Sequence, residues 1–410
     1  MKPLSGMRVI EMGTVVLAPY AAQLMAELGA EVVKIERLGG DSTRNHGAKR
    51  HPGMASLFLN SNRGKKSVAI DVKHPEGYAA LVRLVDKADV FLHNMRFDAA
   101  DRLGVGYERL RERNPRLIYC ATYGYGANGR AAKRPAYDDI IQSVSGVAGL
   151  RQRIDGIPAY SPTIIADKTT ALFVVIGVLG AVAERFTTGQ GKQLEVAMLE
   201  TMVHFLSIEH LNGLTWLPPA GPSGYVRLLN AWRRPHKTMD GYLAVMPHSE
   251  KQWKKFFTIV GREDVLTDPR FATPELRAGN VDALYIEVSK VLPTRTSAAW
   301  SEIFLNHDVP FGLVNSLEDL IEDGHLKDVG FWHEFEHPTE GRMRAPSFPV
   351  RDGGPKGDAT PVTIAPTLGQ HTLEVLEGAG YSPAQLQEMV RQGVIGTQWD
   401  EKARPASKEA

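Results

Sequence analysis

The sequence predicts an α/β protein with a mostly parallel sheet and more than one domain. Three observations predict it. Over the first 200 residues, short β-rich runs alternate with helical ones, the pattern of βαβ units. At 410 residues the chain is too long for a single hydrophobic core. Near residue 214 the texture changes to WLPPAGPSG, a proline- and glycine-rich linker composition.

The elements follow in order. RVIEM (8–12) reads as a strand and APYAAQLMAELG as the helix after it. EVVKIE (31–36) and SVAIDV (67–72) are the next strands, and HPEGYAALVRLVDKA is a helix. ADVFLHNM precedes the helical FDAADRLGVGYERLRERN, and RLIYCATYG (116–124) follows. A long helix is expected over 166–185, apolar all round and therefore buried. QLEVAM (193–198) adds a strand, with a helix running on to about 213. Beyond the linker, GYLAVMP (241–247) opens a second region with helices near 249–260, 281–291 and 297–306. The domain reading is 1–213 with 330–400 as the large domain and 225–325 as the small one. Residues 214–224 and 326–367 are linkers, and 401–410 is a disordered tail.

Composition narrows the function classes. A formal net charge of +1 gives no global field for nucleic acid. The N-terminus lacks the apolar stretch of a signal peptide, and the longest apolar run, 171–183, is too short to span a bilayer. No membrane partner is expected. The single cysteine, Cys120, excludes an intrachain disulfide and fits a cytoplasmic protein.

Two short motifs are set aside. HEFEH, His333 to His337, matches a zinc pattern that needs a helix, yet its apolar and polar residues alternate as on a strand and Pro338 follows. Residues four apart on a strand stand roughly 13 Å apart, too far for one metal. No metal site is expected. GYGANG, Gly124 to Gly129, matches a dinucleotide fingerprint, but no helix opens on its third glycine and Pro135 interrupts. It reads as a loop at a strand's C-terminal end, where ligand crevices form.

TIIADKTTAL (163–172) holds the sharpest signal. Asp167 and Lys168 are its only charges, at the mouth of an apolar helix. Asp167 suits an N-cap, with the helix starting just after it. The helix dipole would hold its pKa below the ordinary value near 3.9. The same ionised carboxylate suits a covalent nucleophile toward a thioester, in a site dry enough to protect an anhydride. The residues alone leave both readings open.

The opening PLSGMRVIEMGTVVLAPYAAQLMAELGAEVVKIERLGGDSTR resembles the class III coenzyme A transferases (CaiB/BaiF), to which α-methylacyl-CoA racemase is related. The likeness continues in NRGKKSVAIDVKHPEG, NMRFDAADRLGVGYERLRERNPRLIYC, PAYDDIIQSVSG, IIADKTTAL and APTLGQHTLEVLEGAGYS. It implies a Rossmann-like large domain built from both chain ends, an inserted α+β domain and an interlocked homodimer. It implies that Asp167 forms an aspartyl anhydride and then an aspartyl-CoA thioester, with Tyr137 and Asp138 beside it. It places coenzyme A against Val15, Val16, Leu17, Arg37, Lys73, Asn94, Met95 and Arg102. Coenzyme A is then substrate and product, and no tightly bound cofactor is implied.

Three function classes stay open. One is a transferase moving CoA from an acyl-CoA to a carboxylic acid. Another is an acyl-CoA racemase, for which Tyr137 stands where relatives carry the base histidine. The third is a non-catalytic acyl-CoA-binding protein. MPHSEKQW (246–253) lacks the glycine run of formyl-CoA transferase, so a dicarboxylic or branched acid is favoured over formyl transfer. His236 and His248 read as surface histidines that could also meet an acceptor carboxylate.

Overall fold

The computed structural model describes residues 2–351, 353–354 and 362–397. Six strands form a parallel sheet: β1 (Arg8–Met12), β2 (Glu31–Glu36), β3 (Lys65–Ile70), β4 (Val90–His93), β5 (Ile118–Tyr123) and β6 (Gln193–Ala197). Their spatial order is β3-β2-β1-β4-β5-β6. The chain winds outward from β1 on one side, then returns to wind outward through β4 on the other. That reversal between β1 and β4 is the switch point at which such sheets bind ligands, beyond the strands' C-terminal ends.

Local chemistry explains the elements. The Pro75–Val85 helix starts with Pro75 and is capped by His74, whose Nδ1 accepts the Glu76 N–H at 3.3 Å. It buries Leu81, Leu84 and Val85 at helical spacing against Val33, Val68 and Phe91. Each such side chain contributes about 2 kcal/mol by leaving water. β3 begins at Lys65, two residues before the expected start. Its two leading lysines read as polar, yet Lys65 is buried, with its ammonium held by Glu11, Asn62 and the Pro19 carbonyl.

The chain divides into two compact units. The larger holds Met1–Ser145, Ser161–Phe205 and Lys327–Ala410; the second holds Gly146–Tyr160 and Leu206–Leu326. These bounds differ from those read in the sequence: 146–160 and the expected linker 214–224 both group with the second unit. That unit has an antiparallel sheet of β7 (His236–Lys237), β8 (Tyr242–Val245) and β9 (Phe311–Leu313). Helices Glu250–Ile259, Val281–Val291 and Ser297–Asn306 pack around Phe256, Phe257, Trp300 and Phe304.

The expected linker 326–367 contains a hairpin in the larger unit, β10 (Trp332–His337) and β11 (Gly341–Pro346). HEFEH is therefore a strand. His333 bonds Ser347 Oγ at 2.6 Å and His337 the Ala365 carbonyl at 2.9 Å, so the two rings serve separate sites. A short β12 (Ile395–Gly396) adds antiparallel to β3. The tail 401–410 and part of 326–367 lie outside the described residues.

The long helix spans Ile165–Thr188. It is long and apolar enough to cross a membrane by composition, but half of that stretch is buried inside the protein. It packs against the Leu17–Glu27 helix and β5. The all-round burial expected from its sequence is not observed. Leu172 and Ile176 are 49% and 62% exposed, because only one face meets the sheet and its partner helix.

Candidate active site

A cavity of about 570 Å³ opens at the switch point. The β1 loop supplies Thr14–Leu17, the β4 loop Asn94–Asp98, and the end of β5 Thr122–Gly124. Tyr137 and Asp167 complete the wall. A second cavity of about 470 Å³ shares Thr14, Val15, Met95 and Tyr137 with the first, and adds Arg37, Gly40–Ser42 and Asp71–Lys73. All these residues belong to the larger unit.

Asp167 is not the helix cap. The helix begins at Ile165, and Ile164 at its N-cap offers no side-chain acceptor. The cap comes from elsewhere in the chain: Asp138 Oδ1 accepts the N–H of Ala166 at 2.7 Å and of Asp167 at 3.0 Å. Asp138 Oδ2 accepts from Gln142 Nε2 at 2.6 Å, and Gln142 Oε1 takes the Ser161 N–H at 2.8 Å. A carboxylate on a neighbouring helix thus satisfies the orphan donors of the long helix. Asp167 is left facing the cavity, and its carboxylate accepts no hydrogen bond among the described residues.

That arrangement reverses the expected acidity. Burial, and secondarily the charge of Asp138, pushes the Asp167 carboxyl up to about 7. A helix dipole lowers the pKa of a solvated, hydrogen-bonded cap. Here the backbone donors are spent on Asp138, so the ionised form of Asp167 lacks their help. A carboxylate stripped of solvent and donors is a stronger nucleophile when ionised.

The structure gathers most of the expected residues. Val15, Val16, Leu17, Asn94, Met95, Arg102 and Tyr137 line the first cavity with Asp167. Arg37 and Lys73 line the second, so the three expected cations do not share one cavity wall. Arg37 Nε is tied to the Gly40 carbonyl at 2.8 Å. Asp138 lines neither cavity; it is buried, with Oδ1 capping the helix that carries Asp167 and Oδ2 accepting from Gln142. Tyr137 is 66% exposed and lines both cavities.

Sequence reasoning passed over Arg96, Lys133 and Arg134, which add positive charge to the first cavity. Lys133 lies 3.5 Å from Asp98, itself in the wall. The basic run RAAKRP beside the GYGANG loop was the available signal. GYGANG is a loop as expected, with Gly126 and Ala127 N–H bound to Glu200 and Glu195. Also missed was His93, fully buried behind Met95. The Met95 N–H donates to His93 Nδ1 at 3.2 Å, so Nε2 carries the proton toward Tyr119 Oη at 2.7 Å. Burial holds this imidazole down to about 4, hence neutral. His236 is not a surface residue: it is 4% exposed in β7, and burial and Arg234 hold it down to about 4. Neutral, it is no cation for an acceptor carboxylate.

Fold and site together define a doubly wound α/β protein with a half-buried carboxylate, free of hydrogen bonds, in its switch-point crevice. The chain matches CoA-transferase family III over residues 4–372. It is 31% identical to succinyl-CoA:glutarate CoA-transferase of Mus musculus over 398 residues, covering 96% of this chain and 91% of the relative. It is 31% identical to succinate–glutarate CoA-transferase of Agrobacterium fabrum, covering 91% and 95%. A crystal structure of a CAIB/BAIF family protein from Brucella suis superposes with a TM-score of 0.78 at 28% identity, covering 92% of this chain and 99% of that one. The protein belongs to CoA-transferase family III and is a CoA-transferase.

Proposed function

We propose that this enzyme moves coenzyme A from an acyl-CoA to a carboxylic acid through covalent intermediates on Asp167. The observation that carries the reading is the Asp167 carboxylate: half-buried, free of hydrogen bonds, and facing the switch-point cavity. An Asp167 oxygen attacks the thioester carbonyl, the C–S bond breaks, and CoA leaves as thiolate. The thiolate then attacks the Asp167 carbonyl of the anhydride and expels the donor acid, leaving aspartyl-CoA. An acceptor carboxylate displaces the thiolate to form a second anhydride. The thiolate attacks the acceptor's acyl carbon, which frees Asp167. Charge balances at each step and no ATP is consumed.

The cations Arg37 and Lys73 in one cavity, and Arg96 and Arg102 in the other, suit the phosphates of CoA and an anionic acid. The names of the relatives put succinyl-CoA and glutarate first among candidate substrates. We also propose a homodimer, supported by the exposed Leu172 and Ile176 on the long helix. The single cysteine, buried in β5, suits a reducing cytoplasm.

The test is peptide mass spectrometry after incubation with succinyl-, glutaryl-, acetyl- and propionyl-CoA, then hydroxylamine. A hydroxamate on Asp167, absent from Asp167→Ala, is the expected result. Exchange of the α-proton into deuterated water with no adduct would replace transfer by racemisation.

A further inference from the structure

The loop between β1 and the Leu17–Glu27 helix carries a backbone outlier. Val15 has φ +69°, in the left-handed region that a β-branched residue rarely enters. Observed strain of this kind persists only where the surroundings over-determine it, and it gathers at functional sites.

Here each strained or neighbouring residue is held by a side chain from another element. The Gly13 carbonyl accepts from Lys34 Nζ on β2 at 2.8 Å. Thr14 is gripped on both sides by Asn94, whose Oδ1 takes its N–H at 2.9 Å while Nδ2 donates to its carbonyl at 2.8 Å. The Val15 N–H points to Asp41 Oδ1 at 3.4 Å. Lys34 and Asp41 are themselves paired at 3.1 Å and buried. Val16 and Leu17, the next residues, line the cavity with Asp167, and no side chain caps this helix.

We infer that Asn94, backed by Lys34 and Asp41, is a positioning residue that holds Val15 in its left-handed conformation and so presents Val16 and Leu17 to the group reacting at Asp167. Two of the four hydrogen bonds its amide can make go to Thr14, which anchors the segment just before Val15. The inference rests on the transfer reading only for its kinetic readout.

The experiment is a double-mutant cycle of Asn94→Ala and Val15→Gly, read by succinyl-CoA:glutarate transfer and by amide hydrogen exchange over residues 12–17. Displacement of a reacting-site loop by about 1 Å costs on the order of 10²-fold in kcat, the loss expected for Asn94→Ala, with faster exchange over the segment. KM for succinyl-CoA should stay within about threefold, since a positioning defect falls on turnover. Glycine adopts positive φ without strain, so in the Val15→Gly background the same Asn94→Ala change should cost about tenfold or less. Asn94→Asp keeps the acceptor for the Thr14 N–H and should fall between. An equal loss in both backgrounds, or a rise in KM alone, overturns the inference in favour of a CoA contact. If the unsubstituted protein transfers no CoA, the functional reading fails and exchange alone decides. Protection unchanged by Asn94→Ala would then overturn the inference, and protection lost would sustain it.

Discussion

The two units bury opposite kinds of chemistry. Behind the switch-point loop, the larger unit buries Glu11, Glu36 and Asp41 with Lys34, Lys65 and Arg44. Glu11 is shared, its oxygens 2.9 Å from Lys34 and from Lys65. Arg44 grips Glu36 at 2.7 Å and lies over the Phe58 ring. The second unit has no such cluster among its described core residues; Trp253, Phe256, Phe257, Trp300 and Phe304 pack ring against ring. Aromatic packing stabilises without demanding one geometry, since cores tolerate conservative repacking. Buried ions contribute little net stability but penalise every arrangement that leaves one unpaired. The difference teaches that the costly, direction-dependent interactions sit where loop geometry matters for chemistry.

The acidities follow the same logic. Burial alone would push Lys34 down, but Glu11, Asp41 and Glu36 together push it above the ordinary range. Lys65 is pushed down to about 8 by burial, with Lys34's charge adding to the shift and Glu11 and, less strongly, Asp41 opposing it. Glu36, despite its burial, is held down to about 2, chiefly by Arg44.

The largest expected effect removes the chemistry and leaves the fold: Asp167→Ala should cost at least about 10³-fold in transfer, with melting temperature unchanged or raised. A retained rate would transfer the nucleophile's role to another residue. Lys34→Met comes next. It leaves Asp41 without its ion-pair partner and Glu11 with Lys65 alone, and should destabilise by about 3–5 kcal/mol in urea titration. By contrast, Phe256→Leu in the second unit should cost only about 1–2 kcal/mol. Equal costs would erase the distinction between the two cores.

A third prediction concerns pH. The folded carboxyl of Asp167 titrates near 7 and the unfolded one near about 4. The folded state therefore holds the extra proton between these values. Its relative stability is fully present below about pH 4 and declines as pH rises toward 7. Asp167→Asn should match the unsubstituted protein at pH 4 and exceed it by up to about 4 kcal/mol at pH 8, by chemical denaturation. A constant difference across pH would refute the raised acidity. Acyl-adduct formation should rise with pH through about 7 for the same reason. The smallest effect is none: chelator treatment should leave transfer unchanged, because His333 and His337 bind separate partners.

Much of this protein was legible before any coordinates. Periodicity in RVIEM, EVVKIE and RLIYCATYG specifies strands, because alternating or continuous apolar residues have few other ways to leave water. The apolar helix that carries Asp167 and the strand character of HEFEH follow from the same local rules. What the tertiary structure decided concerns residues far apart in sequence. Asp138 takes the cap that local propensity offered to Asp167, and in doing so exposes Asp167 to a neighbouring charge rather than to donors. Asn94 is spent on Thr14, eighty residues earlier. Lys65 is drawn inside because Glu11 waits on another strand. A sequence reports each residue's propensity, but desolvation and pairing energies depend on distances that only the packed chain creates.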